Sequence, residues 1–367
     1  MTLSEMSSFV FDSFILDEID TGMNSLHLFL SKCFRNCFVL GFCAVFSMGV
    51  LSAAVDPPLD PEYVSQPTQP GKAVFQPHTI MKGGEVITLF SPDSPFLKAG
   101  RLNEPEKYKI TKGVPGRVHS IINIHNPSIE VHTVDSGRNT GTAIILIPGG
   151  GHRTLNVSGG GTDLIPYFYN FGVNTIILRN RLRNDGYNAE VDAVNDTMQA
   201  IRLVRSQAVE WKIDPDKIGV VGYSAGAELA GTAGVYYETF DKANNAPADP
   251  FAGVSSRPDF VGLIYPGPTP FRNNPDLEFP KDVPPSFIAC AASGDANHAV
   301  WPNQYFMAML NKKVPNLEMH MYGNGVHGGG LSDRGGHPFW HLAGSLHRLV
   351  PGPRFLCKTG SAYKGGA

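Results

Sequence analysis

The sequence carries little surplus charge. Its 30 Lys and Arg nearly cancel 33 Asp and Glu, leaving a formal net charge of −3, and no basic run occurs anywhere. A nucleic-acid partner is thereby excluded, because a phosphate backbone is bound through a patch or stripe of cations. Phosphate-cradling loops are missing too. Neither G-x-x-x-x-G-K-[ST] nor a G-x-G-x-x-G in a dinucleotide unit is present, so no nucleotide cofactor is expected. His337 and His341 stand four residues apart, but Pro338 between them breaks the helix that would put both on one face. No metal and no other cofactor is expected. Internal repeats and charge blocks are absent as well. Since α/β folds of about 250 residues commonly form one domain, one domain behind a long N-terminal approach is the simplest organisation of the 367 residues.

Cysteine is sparse and gathered near the start. Of five, Cys33, Cys37 and Cys43 lie in a segment laid out as an export signal: Lys32 and Arg35 precede an apolar stretch from Cys37 to Leu51, which ends in Ser52-Ala53-Ala54. Small residues of that kind are what a signal peptidase cuts. Cleavage is expected after Ala54, giving a secreted or periplasmic protein. The stretch has about 15 apolar residues, short of the roughly 20 that span a membrane, and the polar Asp56-Pro57-Pro58 follows it. No membrane association is expected after cleavage. Residues 1–22 carry Glu5, Asp12, Asp17, Glu18 and Asp20 and make a poor leader, so Met23 is the expected natural start. Cys290 and Cys357 would remain. They could pair in an oxidising compartment, but Cys290 sits in the apolar run Ser286–Ala291 and reads better as a buried inert thiol.

Beyond the leader of residues 1–54, residues 55–116 are rich in proline and lack sustained periodicity, which marks a wrapping arm. Residues 117–338 read as the folded domain. Ser128–Val134 alternates apolar and polar side chains over most of its length, as a half-solvated antiparallel strand does. From Thr142 onward, continuous apolar runs alternate with helical patterns: Ala143–Ile147, Val173–Leu178, Ile218–Val221, Phe260–Ile264, Ser286–Ala291 and Leu317–Tyr322. Such runs suit strands buried on both faces, so the expected fold class is α/β, a mostly parallel central sheet with helices on both faces. The clearest helix has Asn188 as N-cap and an apolar stripe of Val191, Val194, Met198, Ile201, Val204 and Ala208.

Gly222-Tyr223-Ser224-Ala225-Gly226 lies between the run Ile218–Val221 and a helix of small residues. Strand, then G-x-S-x-G, then helix forces a tight turn that holds the serine hydroxyl clear of the backbone, so Ser224 is the candidate nucleophile. Its candidate base is His327, in the glycine-rich stretch after the last strand, Tyr322-Gly323-Asn324-Gly325-Val326-His327. Asp295, just after the preceding strand, is the candidate acid that would hold one ring nitrogen of His327 and stabilise the imidazolium. Serine, then acid, then histidine is the chain order of α/β hydrolases. Pro148-Gly149-Gly150-Gly151-His152 follows the first central strand, and its glycines let N–H groups approach a substrate oxygen. Gly150 and Gly151, with the N–H of Ala225, are the expected oxyanion donors. Gly159-Gly160-Gly161 reads as a loop leading to the helix near Leu164. Among rival histidines, His298 reads as a residue behind the triad or on the surface, and His320 as a packed strand residue.

These residues carry a family resemblance. From about Ile122 to Leu331 the chain resembles the α/β-hydrolase serine esterases of the feruloyl-esterase and acetylxylan-esterase type. The matching landmarks are Pro148–His152, Asp192, the run from Asp214 through Gly226, Gly294-Asp295 and Gly325-Val326-His327, with weaker likeness at Val86–Phe90 and Ile122–Ser128. The resemblance implies hydrolysis of esters through an acyl-enzyme, often of acetyl groups on plant or algal polysaccharides. Three departures stand out. Ala296 stands where relatives often have a second acid, Gly226-Ala227-Glu228-Leu229-Ala230 replaces a Gly-Gly-His-Leu-Ala run, and a terminal amphipathic helix with paired tryptophans is missing.

In place of that helix, residues 339–367 are rich in glycine and proline, and a reading-frame shift near Pro338 is the expected cause. The segment Pro266–Pro285 is too short for a helical cap, which implies an open site suited to short acyl groups on a large alcohol. Trp301, Tyr223 and Tyr305 are weighed as a sugar-stacking face. The expected partner is thus a small-molecule or polysaccharide ester; the sequence leaves oligomeric state open. A serine peptidase or general lipase on the same fold, and a non-catalytic binding protein built on it, remain as alternatives.

Overall fold

The computed structural model describes residues 63–246, 249–272, 274 and 276–328. The expected signal, the altered tail and Cys357 lie outside them. Within them no helix is long and apolar enough to cross a membrane. Among the described residues, eleven strands occur in the order β1 (Tyr63–Ser65), β2 (Glu85–Thr88), β3 (Lys107–Ile110), β4 (Val118–Ile122), β5 (Ser128–His132), β6 (Ala143–Ile147), β7 (Asn174–Arg179), β8 (Ile218–Tyr223), β9 (Phe260–Ile264), β10 (Ser286–Ser293) and β11 (Leu317–Asn324). The main sheet has eight strands in the order β11-β10-β9-β8-β6-β7-β5-β2. The six strands β6 to β11 run parallel, and β5 and β2 extend the sheet antiparallel. A second sheet, β1-β3-β4, is antiparallel.

The pleat divides each apolar run between two layers. In β6, Ile145 and Ile147 join a cluster with Met198, Ile201, Val220 and Val261, while Ile144 and Leu146 join Leu164, Phe168, Val221 and Phe260. Alternate side chains of a strand point to opposite faces, so a run without polar residues requires cover on both. One face is covered by α1 (Ile165–Asn170). The other is covered by α2 (Val194–Ser206), α3 (Ala225–Ala243) and α4 (Ala296–Asn311). The mostly parallel, doubly covered sheet expected from the sequence is the one observed.

Three local readings differ. Ser128–Val134 was expected to face water on one side, yet every residue of β5 is buried. Its polar positions face a buried charge: Glu130 pairs with Arg179, whose guanidinium also meets Glu106 at 3.2 Å. Residues 63–116 contain β1, β2 and β3, strands of three or four residues, too short for their periodicity to register. Val191 points to solvent rather than to the sheet. Asn188 does cap the element, accepting from Glu190 N–H at 2.9 Å, but the first turn, Ala189–Ala193, is a π-turn. A π-turn holds more residues than an α-turn, so the stripe comes into phase only at Val194.

Candidate active site

The elbow is built by steric exclusion. Ser224 has φ 54° and ψ −120°, a conformation that residues with a Cβ adopt only under constraint. The glycines on either side make the constraint possible. A Cβ on Gly222 would lie 2.1 Å from the Gly226 carbonyl oxygen, and one on Gly226 would lie 2.0 Å from that of Ile147. The turn is anchored sideways, with Ser224 N–H donating to the Ile264 carbonyl of β9 at 2.9 Å. Its hydroxyl stands at the carboxyl edge of the parallel strands, the functional edge of open α/β sheets.

Three distant residues meet there. Ser224 Oγ lies 2.7 Å from His327 Nε2, and His327 Nδ1 lies 2.8 Å from Asp295 Oδ2. An ionised carboxylate can only accept, so Nδ1 donates to Asp295 and Nε2 is left to take the serine proton. The approach of the two loops depends on Gly294, at φ 79°, where a Cβ would lie 2.2 Å from the Gly325 carbonyl oxygen. Gly325 N–H and Ser293 Oγ tie the ends of β10 and β11 together at 3.1 and 2.7 Å. Tyr265 stands edge-on to the His327 ring, centroids 5.0 Å apart.

The loop Pro148–His152 presses on the elbow. A Cβ on Gly149 would lie 2.9 Å from Ser224 Cβ, and Gly150 takes φ 135°. Among the described residues, no backbone carbonyl is paired with the N–H of Gly150, Gly151 or Ala225. His152 closes the loop, at φ 57°, with its Nε2 3.1 Å from Glu228 Oε2 on α3. Sequence reasoning noted Glu228 only as a departure from relatives; its pairing with His152 had no signal in linear spacing.

Other candidates separate. Tyr223 and Tyr305 are buried to 1% and 0% exposure, so neither offers a sugar-stacking face. Trp301 is half-buried beneath the Arg272 guanidinium, 5.5 Å from its ring. His320 is not packed in the core: it is half-buried at the outer strand, beside Glu318. Cys290 is buried and free, its thiol pushed up to about 11 by burial and then by the Asp295 charge, the behaviour expected of an inert core thiol. His298 falls neither on open surface nor away from the triad: its Nδ1 lies 2.7 Å from Asp295 Oδ1.

An eight-stranded sheet with a strained serine turn at its centre defines the class: the chain has the α/β-hydrolase fold. Solved structures agree on the fold. An acetyl ester-xyloside bifunctional hydrolase from Caldicellulosiruptor lactoaceticus superposes with a TM-score of 0.57 at 24% identity, covering 72% of this chain and 94% of that one. Within the class, residues 129–256 match the family model described as BD-FAE. Endo-1,4-beta-xylanase B of Butyrivibrio fibrisolvens is 30% identical over 131 residues, covering 34% of this chain and 19% of the relative. An acetylxylan esterase of Xylanibacter ruminicola is 31% identical over 91 residues, covering 25% of this chain and 18% of the relative. The chain thus spans about a fifth of the length of these curated relatives. The type it resembles is the α/β-hydrolase esterase of the feruloyl and acetylxylan kind, as its sequence landmarks indicate.

Proposed function

We propose that the protein is an exported serine ester hydrolase that removes short acyl groups, above all acetyl, from carbohydrate. The observation that carries this reading is the unbroken contact from Ser224 Oγ through His327 to Asp295. His327 Nε2 takes the Ser224 proton as Oγ attacks the ester carbonyl, and Asp295 stabilises the resulting imidazolium. The oxyanion of the tetrahedral intermediate is met by N–H groups of Gly150, Gly151 and Ala225, typically worth about 3–4 kcal/mol of barrier per donor. His327 then gives its proton to the departing sugar oxygen, leaving an acyl group on Ser224. Water, activated by the same imidazole, releases it.

Two observations favour small acyl groups on a bulky alcohol. Between β9 and β10 the described residues form no helix or strand that could cap the serine, and Trp301 keeps a partly exposed ring on α4. The two curated relatives are named for xylan chemistry. Export rests on the leader pattern of residues 32–54.

The test is hydrolysis of p-nitrophenyl acetate and of acetylated xylan. A burst of p-nitrophenol followed by slower turnover is expected, and Ser224→Ala should lower kcat by about 10⁴-fold or more while leaving the fold intact. Undiminished turnover in Ser224→Ala, or no labelling of the wild type by a fluorophosphonate, would overturn the assignment. Cleavage that strengthens as the acyl chain lengthens would overturn the preference for acetyl.

A further inference from the structure

Asp295 is the N-cap residue of α4, yet its carboxylate caps no N–H of that helix. Aspartate at that position ordinarily satisfies one of the free donors of the first turn. Here both oxygens are committed elsewhere: Oδ2 to His327 Nδ1 at 2.8 Å and Oδ1 to His298 Nδ1 at 2.7 Å. The two imidazoles that share this carboxylate are also stacked, with ring centroids 3.9 Å apart and planes inclined by 21°. The carboxylate is almost fully buried, whereas each ring keeps about a third of its surface exposed, 30% for His327 and 36% for His298.

Resting on the triad reading above, we infer that His298 is a positioning residue for catalysis, a second histidine that clamps the orienting carboxylate and backs the face of the base. Two contacts carry this, and they act on different atoms. The Nδ1–H bond fixes rotation of the Asp295 carboxylate about its Cβ–Cγ bond. With one oxygen pinned by His298, the other is presented in the plane that His327 Nδ1–H requires. A carboxylate held by one hydrogen bond alone samples orientations that let the imidazole tilt, and a misplacement of about 1 Å at a reacting group can cost a large factor in rate. The stacked ring acts on His327 itself. It covers one face of the imidazole with a stacked ring, so His327 can swing in one direction fewer. The side-chain contacts of His298 are with Asp295 and His327, and its part is played through them.

His298 stands three residues after Asp295, one turn along α4, and its own N–H donates to the Asp295 carbonyl at 3.0 Å. The start of the helix is thus the jig: the turn that presents Asp295 to the base also returns the side chain that holds it. Ala296 leaves this carboxylate without an acidic neighbour in the next position.

The experiment compares three variants, each checked for a wild-type thermal transition. His298→Ala removes donor and stack, and kcat for p-nitrophenyl acetate should fall about 10-fold with KM within twofold of wild type. His298→Asn places an amide nitrogen where Nδ1 stood, since both atoms are one bond beyond Cγ, and should recover most of the lost kcat. His298→Phe keeps the stack without the donor and should stay nearer to Ala than to Asn. A second readout needs no turnover: the low-field proton resonance of His327 Nδ1–H should be sharp in wild type and His298→Asn and displaced or broadened in His298→Ala. Wild-type kcat in His298→Ala, or an unmoved resonance in it, sinks the inference while leaving the triad standing. Loss of the triad itself would show differently, as turnover that survives Ser224→Ala.

Discussion

Gly226 shows how narrowly the elbow is drawn. It has no room for a methyl group, because the added carbon would sit 2.0 Å from the Ile147 carbonyl oxygen and 2.7 Å from that of Pro148. Both obstacles are backbone atoms of β6 and the glycine loop after it, and neither can rotate away. Relief requires α3 to lift from the sheet or the glycine loop after β6 to retreat. Gly226→Ala should therefore lower both the thermal midpoint and kcat, the first by several degrees if the clash costs about 1–3 kcal/mol, as overpacking commonly does. Thermal unfolding followed by circular dichroism, together with acetate-ester turnover, measures the two effects; a variant with wild-type values for both would show that the turn is looser than the contacts imply.

Elements were read from the sequence as well as their burial was two-sided. β6 and β9 are bounded as the apolar runs were, because strands covered on both faces leave no polar residue to blur the pattern. The same clarity placed Ser224, Asp295 and His327 after three different strands and so at one edge of the sheet. What escaped was information held between elements. Glu130 and His132 looked like the wet side of a strand because alternation records polarity and not solvent, and only the fold shows Arg179 waiting opposite them. For His298 the sequence leaves two places open, behind the triad or on the surface, and only the fold brings its Nδ1 onto Asp295 Oδ1. The buried cluster on β5 and β7 has measurable weight. Burial raises the Glu106 carboxyl. Burial also works to raise Glu130, but the hydrogen bond from His132, the Arg179 charge and the N–H groups of Ile80 and Met81 outweigh it and hold that carboxyl below its ordinary range. Arg179→Met leaves two carboxylates without their cation and should destabilise the protein by about 3–5 kcal/mol. Denaturant titration of the two proteins would read that difference, and a change under 1 kcal/mol would mean that water or rearrangement replaces the guanidinium.

At the scale of the whole molecule, stability should depend on acid through His125. Its side chain is buried, with Nδ1 2.9 Å from the Tyr187 hydroxyl and Nε2 2.9 Å from Asn123 Oδ1. Burial, then the Arg101 charge, pushes its titration down from 6.5 to about 4. The folded state therefore keeps this ring neutral where the unfolded chain protonates it. Its contribution is intact above pH 6.5, shrinks as the pH falls through the interval, and is gone once the pH is below about 4. The thermal midpoint of wild type should fall more steeply between those limits than that of His125→Gln, and parallel curves for the two would remove His125 as the cause. The central strands β6, β8 and β9, by contrast, are buried at every position and set a floor that protonation of one ring does not reach.

The placement of β11 has a consequence for how this molecule fails. Among the described residues it is the outermost strand on its side of the sheet, and most of its side chains are only half covered. The imidazole of His327, the proposed base, lies just beyond the far end of that strand, while Ser224 directly follows β8, which is buried at every position. The proposed site thus joins the buried centre of the sheet to its margin. A chain whose margin has peeled back could hold every central contact and still be inert, so competence is the first property to go and the last to return.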